Sequence, residues 1–219
     1  MREIRGHDAA LAVLNDPRFV VPPVPFAETG VGWLRATVGR FATGDDHDRR
    51  RALSEAIIRT IPPAPASKGH PVEVLARAMG IEPPVVELVR DVAQAYQPGS
   101  GDDTRADAAV ERLIAILGGE RSESTAARIG VLVQACDATA ALRERVRDRP
   151  LDDVLRDDPP VRATKRQATV PVTVGGLDVG AGEVVLVELR GDLAFGAGPR
   201  RCPGQALALE LVSGDSGGR

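Results

Sequence analysis

The chain has 219 residues, a formal net charge of −3 at pH 7 and two cysteines, Cys136 and Cys202. That length supplies one sizeable core, in one or two domains. The near-balance of charge gives no bulk attraction to nucleic acid or to a membrane surface, and two cysteines do not make a disulfide framework. Aromatic residues are 3% of the chain, a poor supply of stacking platforms for bases or sugars. No apolar run reaches the length of a membrane span, and Met1-Arg-Glu-Ile-Arg carries no apolar leader core. These features predict a soluble, cytoplasmic protein that partners neither nucleic acid nor membrane. Its Arg- and Ala-rich usage fits a bacterial source of high GC content.

Residues 8–14 read as a short helix capped by Asp8 and ended before Pro17, and Val20 to Phe26 as a proline-rich extended connector. A helix follows from Thr43 to Ser54, with acids in its first turn, as the helix dipole prefers. On it His47 and Arg51 lie four apart and share a face; taken alone, the Arg49-Arg50-Arg51 run is a solvated charged face. Ile61-Pro-Pro-Ala-Pro-Ala is a linker, and helices are predicted at Pro71–Met79 and Pro83–Tyr96, separated by Gly80. Gln97 to Asp103 is a Gly-rich hinge. Ala106 to Leu117 reads as an amphipathic helix, and Ser122 to about Arg149 as the longest helix of the chain. Pro150 to Pro160 encloses a short helix stopped by Pro159. Alternation from Ala168 to Val187 around Gly175-Gly176 predicts a small hairpin and a further strand. Ser213 to Arg219 has the composition of a disordered tail. The expectation is a single compact domain over residues 1–212, mainly α with a small β-hairpin region (α+β). His7, His70 and Cys136 read as structural.

The chemistry concentrates near the C-terminus, in Leu193-Ala-Phe-Gly-Ala-Gly-Pro-Arg-Arg-Cys-Pro-Gly-Gln-Ala-Leu-Ala208. Gly196, Gly198 and Pro199 make a tight loop. Cys202 follows, then Pro203 at a natural first helical position and an apolar run, Ala206 to Val212, at helical spacing. A helix N-terminus and the adjacent Arg200 and Arg201 both favour an anion, so thiolate character is expected at Cys202. Such a thiolate can bind a metal, act as a nucleophile or sense oxidants.

The pattern Phe195-x-x-Gly198-x-Arg200-x-Cys202-x-Gly204 resembles the haem-binding signature of the cytochromes P450, of bacterial type. The resemblance extends thinly along the chain. Asp8-Ala-Ala-Leu-Ala-Val-Leu-Asn-Asp-Pro-Arg-Phe19 is similar to the family's early helix and the turn after it. Pro71 to Glu82 is similar to the segment before its substrate-covering helices. Val133-Gln-Ala-Cys-Asp-Ala-Thr-Ala140 is similar to its oxygen-binding kink, with Asp137 as the acid, Ala138 at the threonine position and Thr139 one place later. Asp153 and Arg156 stand where the family has Glu-x-x-Arg. The chain is about half the family's usual length, so the fold implied is a truncated P450-like one.

What the resemblance implies is a haem b whose iron takes Cys202 as axial thiolate, with Phe195 packed near the sulfur and Gly198 and Gly204 completing the loop. His47, Arg51, Arg166 and Arg200 would bind haem propionates, and Asp137 and Thr139 would line the distal side and relay protons. The shift of the hydroxyl from position 138 to Thr139, about 100° round the helix, tilts the expectation towards peroxide use or non-oxygenase haem chemistry, with a ferredoxin-type electron donor as the alternative. Arg49 and Arg50 would point outward as a basic patch able to steer such an acidic carrier. The substrate would be a small apolar or natural-product-like molecule, and apolar edges left by missing segments would favour self-association. Three readings stand open: a haem-thiolate oxidoreductase (monooxygenase or peroxygenase-like), a non-catalytic P450-like scaffold or partner protein, and an inactive degenerate fragment.

Overall fold

A computed structural model describes residues 1–62 and 69–213. Its elements, in chain order, are β1 (Arg2–Ile4), α1 (His7–Asn15), β2 (Phe19–Val20), α2 (Gly30–Thr37), α3 (Gly44–Thr60), α4 (Pro71–Ala78), α5 (Val86–Ala95), α6 (Asp103–Ile116), α7 (Glu123–Arg145), α8 (Leu151–Asp157), β3 (Ala163–Ala168), β4 (Val172–Val174), β5 (Leu177–Val179), β6 (Val184–Glu188) and α9 (Gln205–Ser213). Short 3₁₀ turns occupy Gly39–Phe41, Gly191–Leu193 and Gly198–Arg200. The predicted mainly α architecture with a small β region is what the chain adopts. Ser213, where the expected tail begins, instead ends α9; the rest of the tail and most of the Ile61–Ala66 linker lie outside the described residues.

The element boundaries show which local signals governed. Asp8 stands in the first turn of α1 rather than capping it; the cap position is Gly6, at a φ of 86°. α5 starts at Val86, three residues beyond Pro83, because two consecutive prolines push the preceding backbone out of the helical region. α6 starts earlier than its apolar periodicity suggests, because the Asp102 carboxylate accepts from the Thr104 and Arg105 amides at 2.9 and 3.3 Å. His70 caps α4, its Nδ1 accepting from the Val72 amide at 3.3 Å.

The chain divides into two compact units, Met1–Pro22 with Arg145–Gln205, and Pro23–Glu144 with Ala206–Arg219. The first unit holds a four-stranded sheet of order β1-β6-β3-β2 and the separate β4-β5 hairpin. β1 runs parallel to β6 (Ile4↔Val187), β3 antiparallel to β6 (Arg166↔Val185) and β2 antiparallel to β3 (Phe19↔Ala168). The hairpin turns at Gly175 and Gly176, with φ of 56° and 77°, as a tight two-residue turn requires. Its core gathers Ile4, Val13, Phe19, Val185 and Val187.

The second unit is helical. Its core joins apolar faces of α2, α4, α5, α6 and α7, centred on Leu34, Leu75, Val89, Leu113, Ile129 and Leu132. α2 is capped from α6: Asp107 accepts from the Val31 amide at 2.7 Å and Glu111 from the Gly30 amide at 3.2 Å. α3 buries little beyond His47.

Candidate functional site

In the first unit, the cysteine loop is a chain of short backbone bonds. Leu193 is buried and roots the loop in the core. The Gly196 amide then donates to Leu193 O at 2.8 Å, the Arg201 amide to Gly198 O at 3.1 Å and the Cys202 amide to Phe195 O at 2.8 Å. Gly198 has a φ of 64°, and a Cβ there would stand 2.6 Å from Asn15 Oδ1 and 2.9 Å from Leu14 O. The motif glycine is therefore required by the close approach of the loop to the end of α1, as well as by its left-handed backbone. Phe195, Arg200 and Gly204 are half-buried, and Cys202 is exposed and in no disulfide. α9 begins at Gln205, so Pro203 and Gly204 form a turn and Cys202 stands three residues ahead of the first helical residue. The predicted helical Pro203 is corrected accordingly.

Arg166 lies on the same strand face as Thr164 and Ala168, the inward one. It is 3% exposed, and its Nη1 donates to Thr164 Oγ1 at 3.0 Å and to Lys165 O at 2.8 Å. An arginine on the buried side of a strand is costly unless its charge is met. The strand itself escaped the sequence reading, since Ala-Thr-Lys-Arg-Gln-Ala is too polar to show a hydrophobic alternation. Elsewhere in this unit, His7 bridges Asp8 and Asp192, each at 3.0 Å, and hydrogen bonding to these carboxylates raises its pKa. Asp153 and Arg156 form an exposed ion pair within α8.

In the second unit, α3 carries His47 buried, with Nδ1 2.9 Å from Asp48 Oδ1, and Arg51 with Nε 2.7 Å from Glu55 Oε1. Arg49 is exposed as expected and Arg50 half-buried, but acids meet the charge of the expected basic patch. Arg49 donates to Glu123 at 2.8 and 2.9 Å and to Asp46 at 2.7 Å. Arg50 donates to Glu123 at 2.7 Å and to Ala36 O at 2.8 Å. These two cations clamp α3 to the start of α7, and the Arg49 and Arg50 hydrogen bonds hold the Glu123 carboxyl at a pKa of about 2. The acid lies more than 70 residues away in sequence, where no local pattern reveals it.

On α7, Asp137 is exposed, while Thr139 is 4% exposed. Two residues of helix separate them by about 200°, so they occupy opposite faces. Cys136 is fully buried, and burial followed by the Asp137 charge pushes its thiol up to about 12. It is held as a neutral thiol in the core. Burial and the Arg90 charge lower the His70 pKa, which suits a neutral ring accepting from the α4 amide.

Among the described residues, no cluster of three or more His, Cys, Asp or Glu side chains would hold a metal. A metal brought with its own macrocycle needs only one axial protein ligand, and the exposed Cys202 is the residue of that kind. The donor set of the first unit fits such a group: a soft thiol on a rigid loop, with Arg200 and Arg166 as cations. A groove of about 610 Å³ opens at the α4–α5 corner, lined by Ala76, Arg77, Ile81, Pro84 and Val86 among others. None of the predicted site residues lines it, so the loop chemistry rather than this groove identifies the candidate site.

No protein-family model and no curated protein sequence matches the chain. Solved structures do match. P450BioI, crystallised with hexadec-9Z-enoic acid ligated acyl carrier protein, is 17% identical with a TM-score of 0.69, the match covering 95% of this chain and 81% of that one. Epothilone D-bound P450epoK is 19% identical at a TM-score of 0.66, covering 97% and 82%. CYP164A2 of Mycobacterium smegmatis is 19% identical at 0.65, covering 94% and 80%. At these identities the likeness shows the fold, which is P450-like. No helix among the described residues is long and apolar enough to cross a membrane.

Proposed function

We propose that the chain is a haem-thiolate oxidoreductase, acting as a monooxygenase or peroxygenase on a small apolar or natural-product-like molecule. The observation that carries this reading is the complete Phe195-x-x-Gly198-x-Arg200-x-Cys202-x-Gly204 loop, presenting an exposed thiol on a P450-like fold. Haem with an axial thiolate would supply oxygen- or peroxide-activating chemistry.

The residues do the rest. Cys202 would hold the haem iron through its sulfur, and the 2.8 Å bond from its amide to Phe195 O fixes the backbone behind that side chain. Phe195, half-buried, would pack near the sulfur once the haem is held. Arg200 and the buried Arg166 are assigned to propionates, where a charge-assisted bond is stronger than a neutral one. His47 and Arg51 on α3 carry the same assignment, Arg51 giving up its tie to Glu55. Asp137, exposed on α7, would serve as the acid that holds and returns a proton. Thr139, buried on the opposite face of that helix, is assigned a minor part. An acid without a paired alcohol suits peroxide, which brings its own protons, better than dioxygen with a ferredoxin-type donor. The molecules bound in the structural neighbours, hexadec-9Z-enoic acid on acyl carrier protein and epothilone D, support the proposed substrate class. The separation of Asp137 from Thr139 also favours a second reading, a P450-like scaffold that performs no oxidation.

Titration of the purified protein with ferric haem tests the assignment. Binding should saturate at one haem per chain. Arg166→Ala should weaken it by about tenfold or more, the worth of a hydrogen bond to a charged group. Absence of saturable binding contradicts the oxidoreductase reading and leaves the scaffold.

A further inference from the structure

α9 is the helix into which the cysteine loop runs, and its far end is held by an unusual residue. Arg143, in the last turn of α7, is 7% exposed. Its Nη2 and Nε donate to Leu211 O in the last turn of α9, at 2.9 and 3.3 Å. Its Nη1 donates to Gly69 O, just ahead of the His70 cap of α4. One guanidinium thus ties together the C-terminal ends of α7 and α9 and the start of α4.

Burying a guanidinium is costly unless its charge and donors are met, so the contacts around Arg143 must offset that cost. Part of the offset is electrostatic. The last carbonyls of a helix lack intrahelical partners and carry the negative end of the dipole. Arg143 lies where two such ends, of α7 and α9, need a cation. The planar fork meets separate carbonyls at fixed angles, which a lysine ammonium does not do. α9 is only nine residues long, too short to hold its shape without tertiary contacts. With its last turn pinned, it behaves as a strut whose other end is joined to Cys202 through Pro203 and Gly204, and Arg201 Nε donates to Gln205 Oε1 at 3.0 Å across that turn.

We infer that Arg143 is a positioning residue for the Cys202 thiolate, anchoring α9 and through it the cysteine loop. This rests on the haem-thiolate reading for its functional meaning, but the anchoring itself does not need haem. Arg143 touches no reacting group; it acts through α9.

The test uses the full chain with Arg143→Met and, should that variant fold poorly, Arg143→Lys, which keeps the charge and loses the fork. Amide hydrogen exchange is read without haem. The α9 amides and the Cys202 amide should exchange faster by about tenfold or more, while α6 amides keep their rates. With haem loaded, the reduced carbon monoxide complex should divide between thiolate-type and thiol-type Soret bands at temperatures where circular dichroism remains native. Exchange that rises only at the last turn of α9, or a single thiolate-type band in the folded variant, overturns the inference. A wild-type protein with no thiolate-type band would instead overturn the haem reading, while the exchange rate of the Cys202 amide still decides whether Arg143 anchors the loop.

Discussion

The two units of this chain are assembled over different sequence distances. The helical unit is drawn mostly from the continuous stretch Pro23–Glu144, so neighbours in sequence are neighbours in the core. The other unit joins Met1–Pro22 to Arg145–Gln205, and its sheet is closed by the parallel pairing of β1 with β6, Arg2 opposite Val185. Closing so long a loop adds only a logarithmic entropy cost to stability, but such non-local contacts are slow to form. The thiol loop belongs to this second kind of structure. Its motif is local, yet its seat is not: Gly198 fits against Leu14 and Asn15, from the opposite end of the chain.

Core truncation sharpens the contrast most strongly. Leu132 in α7 and Ile4 in β1 are both fully buried, and replacing either by alanine costs about 2–5 kcal/mol. Leu132→Ala should fall near the top of that range, since helices surround it. Ile4→Ala should fall lower, since β1 is the edge of its sheet and can relax inward. Urea unfolding followed by fluorescence of Trp33, the single tryptophan, reads the helical unit, and hydrogen exchange at β6 reads the other. A larger cost at Ile4 than at Leu132 would reverse the comparison.

Gly198→Ala comes next. The left-handed backbone alone costs about 1–2 kcal/mol for a residue with a Cβ, and the contact with Asn15 and Leu14 adds to it. The urea midpoint should drop, and the alkylation rate of Cys202 should change while the buried Cys136 stays unreactive. An unchanged rate at Cys202 would mean that the loop does not depend on its seat.

The smallest effect is confined to acid. Glu123 has its pKa lowered from an ordinary 4.5 to about 2 by Arg49 and Arg50. A depressed carboxylate contributes stability that is present above the unfolded value and lost as pH falls through the folded one. Glu123→Gln should therefore flatten the stability profile between about pH 4.5 and 2 and leave its shape near neutrality unchanged. A profile identical to wild type in that window would remove the clamp from the account.

What was legible in the sequence divides along the same line. The Gly175-Gly176 turn, the long α7 and the cysteine motif announce themselves through neighbouring residues, and each is found where expected. β1 is three residues long and β3 is polar, and only their pairing with β6 makes them strands. Arg49 and Arg50 read as an outward basic face because Glu123, which engages both, is remote in sequence. Asp137 and Thr139 stand two residues apart on α7, and that is enough to set the exposed carboxylate and the buried hydroxyl on opposite faces. Arg143 carries no motif; only the meeting of three elements gives it a role.

The most direct test of the central claim is the difference spectrum of the haem-loaded protein, reduced and exposed to carbon monoxide. The account predicts the red-shifted Soret band of thiolate-ligated iron in the wild type and its loss in Cys202→Ala. A colourless protein, or a band that persists without the Cys202 sulfur, would contradict it.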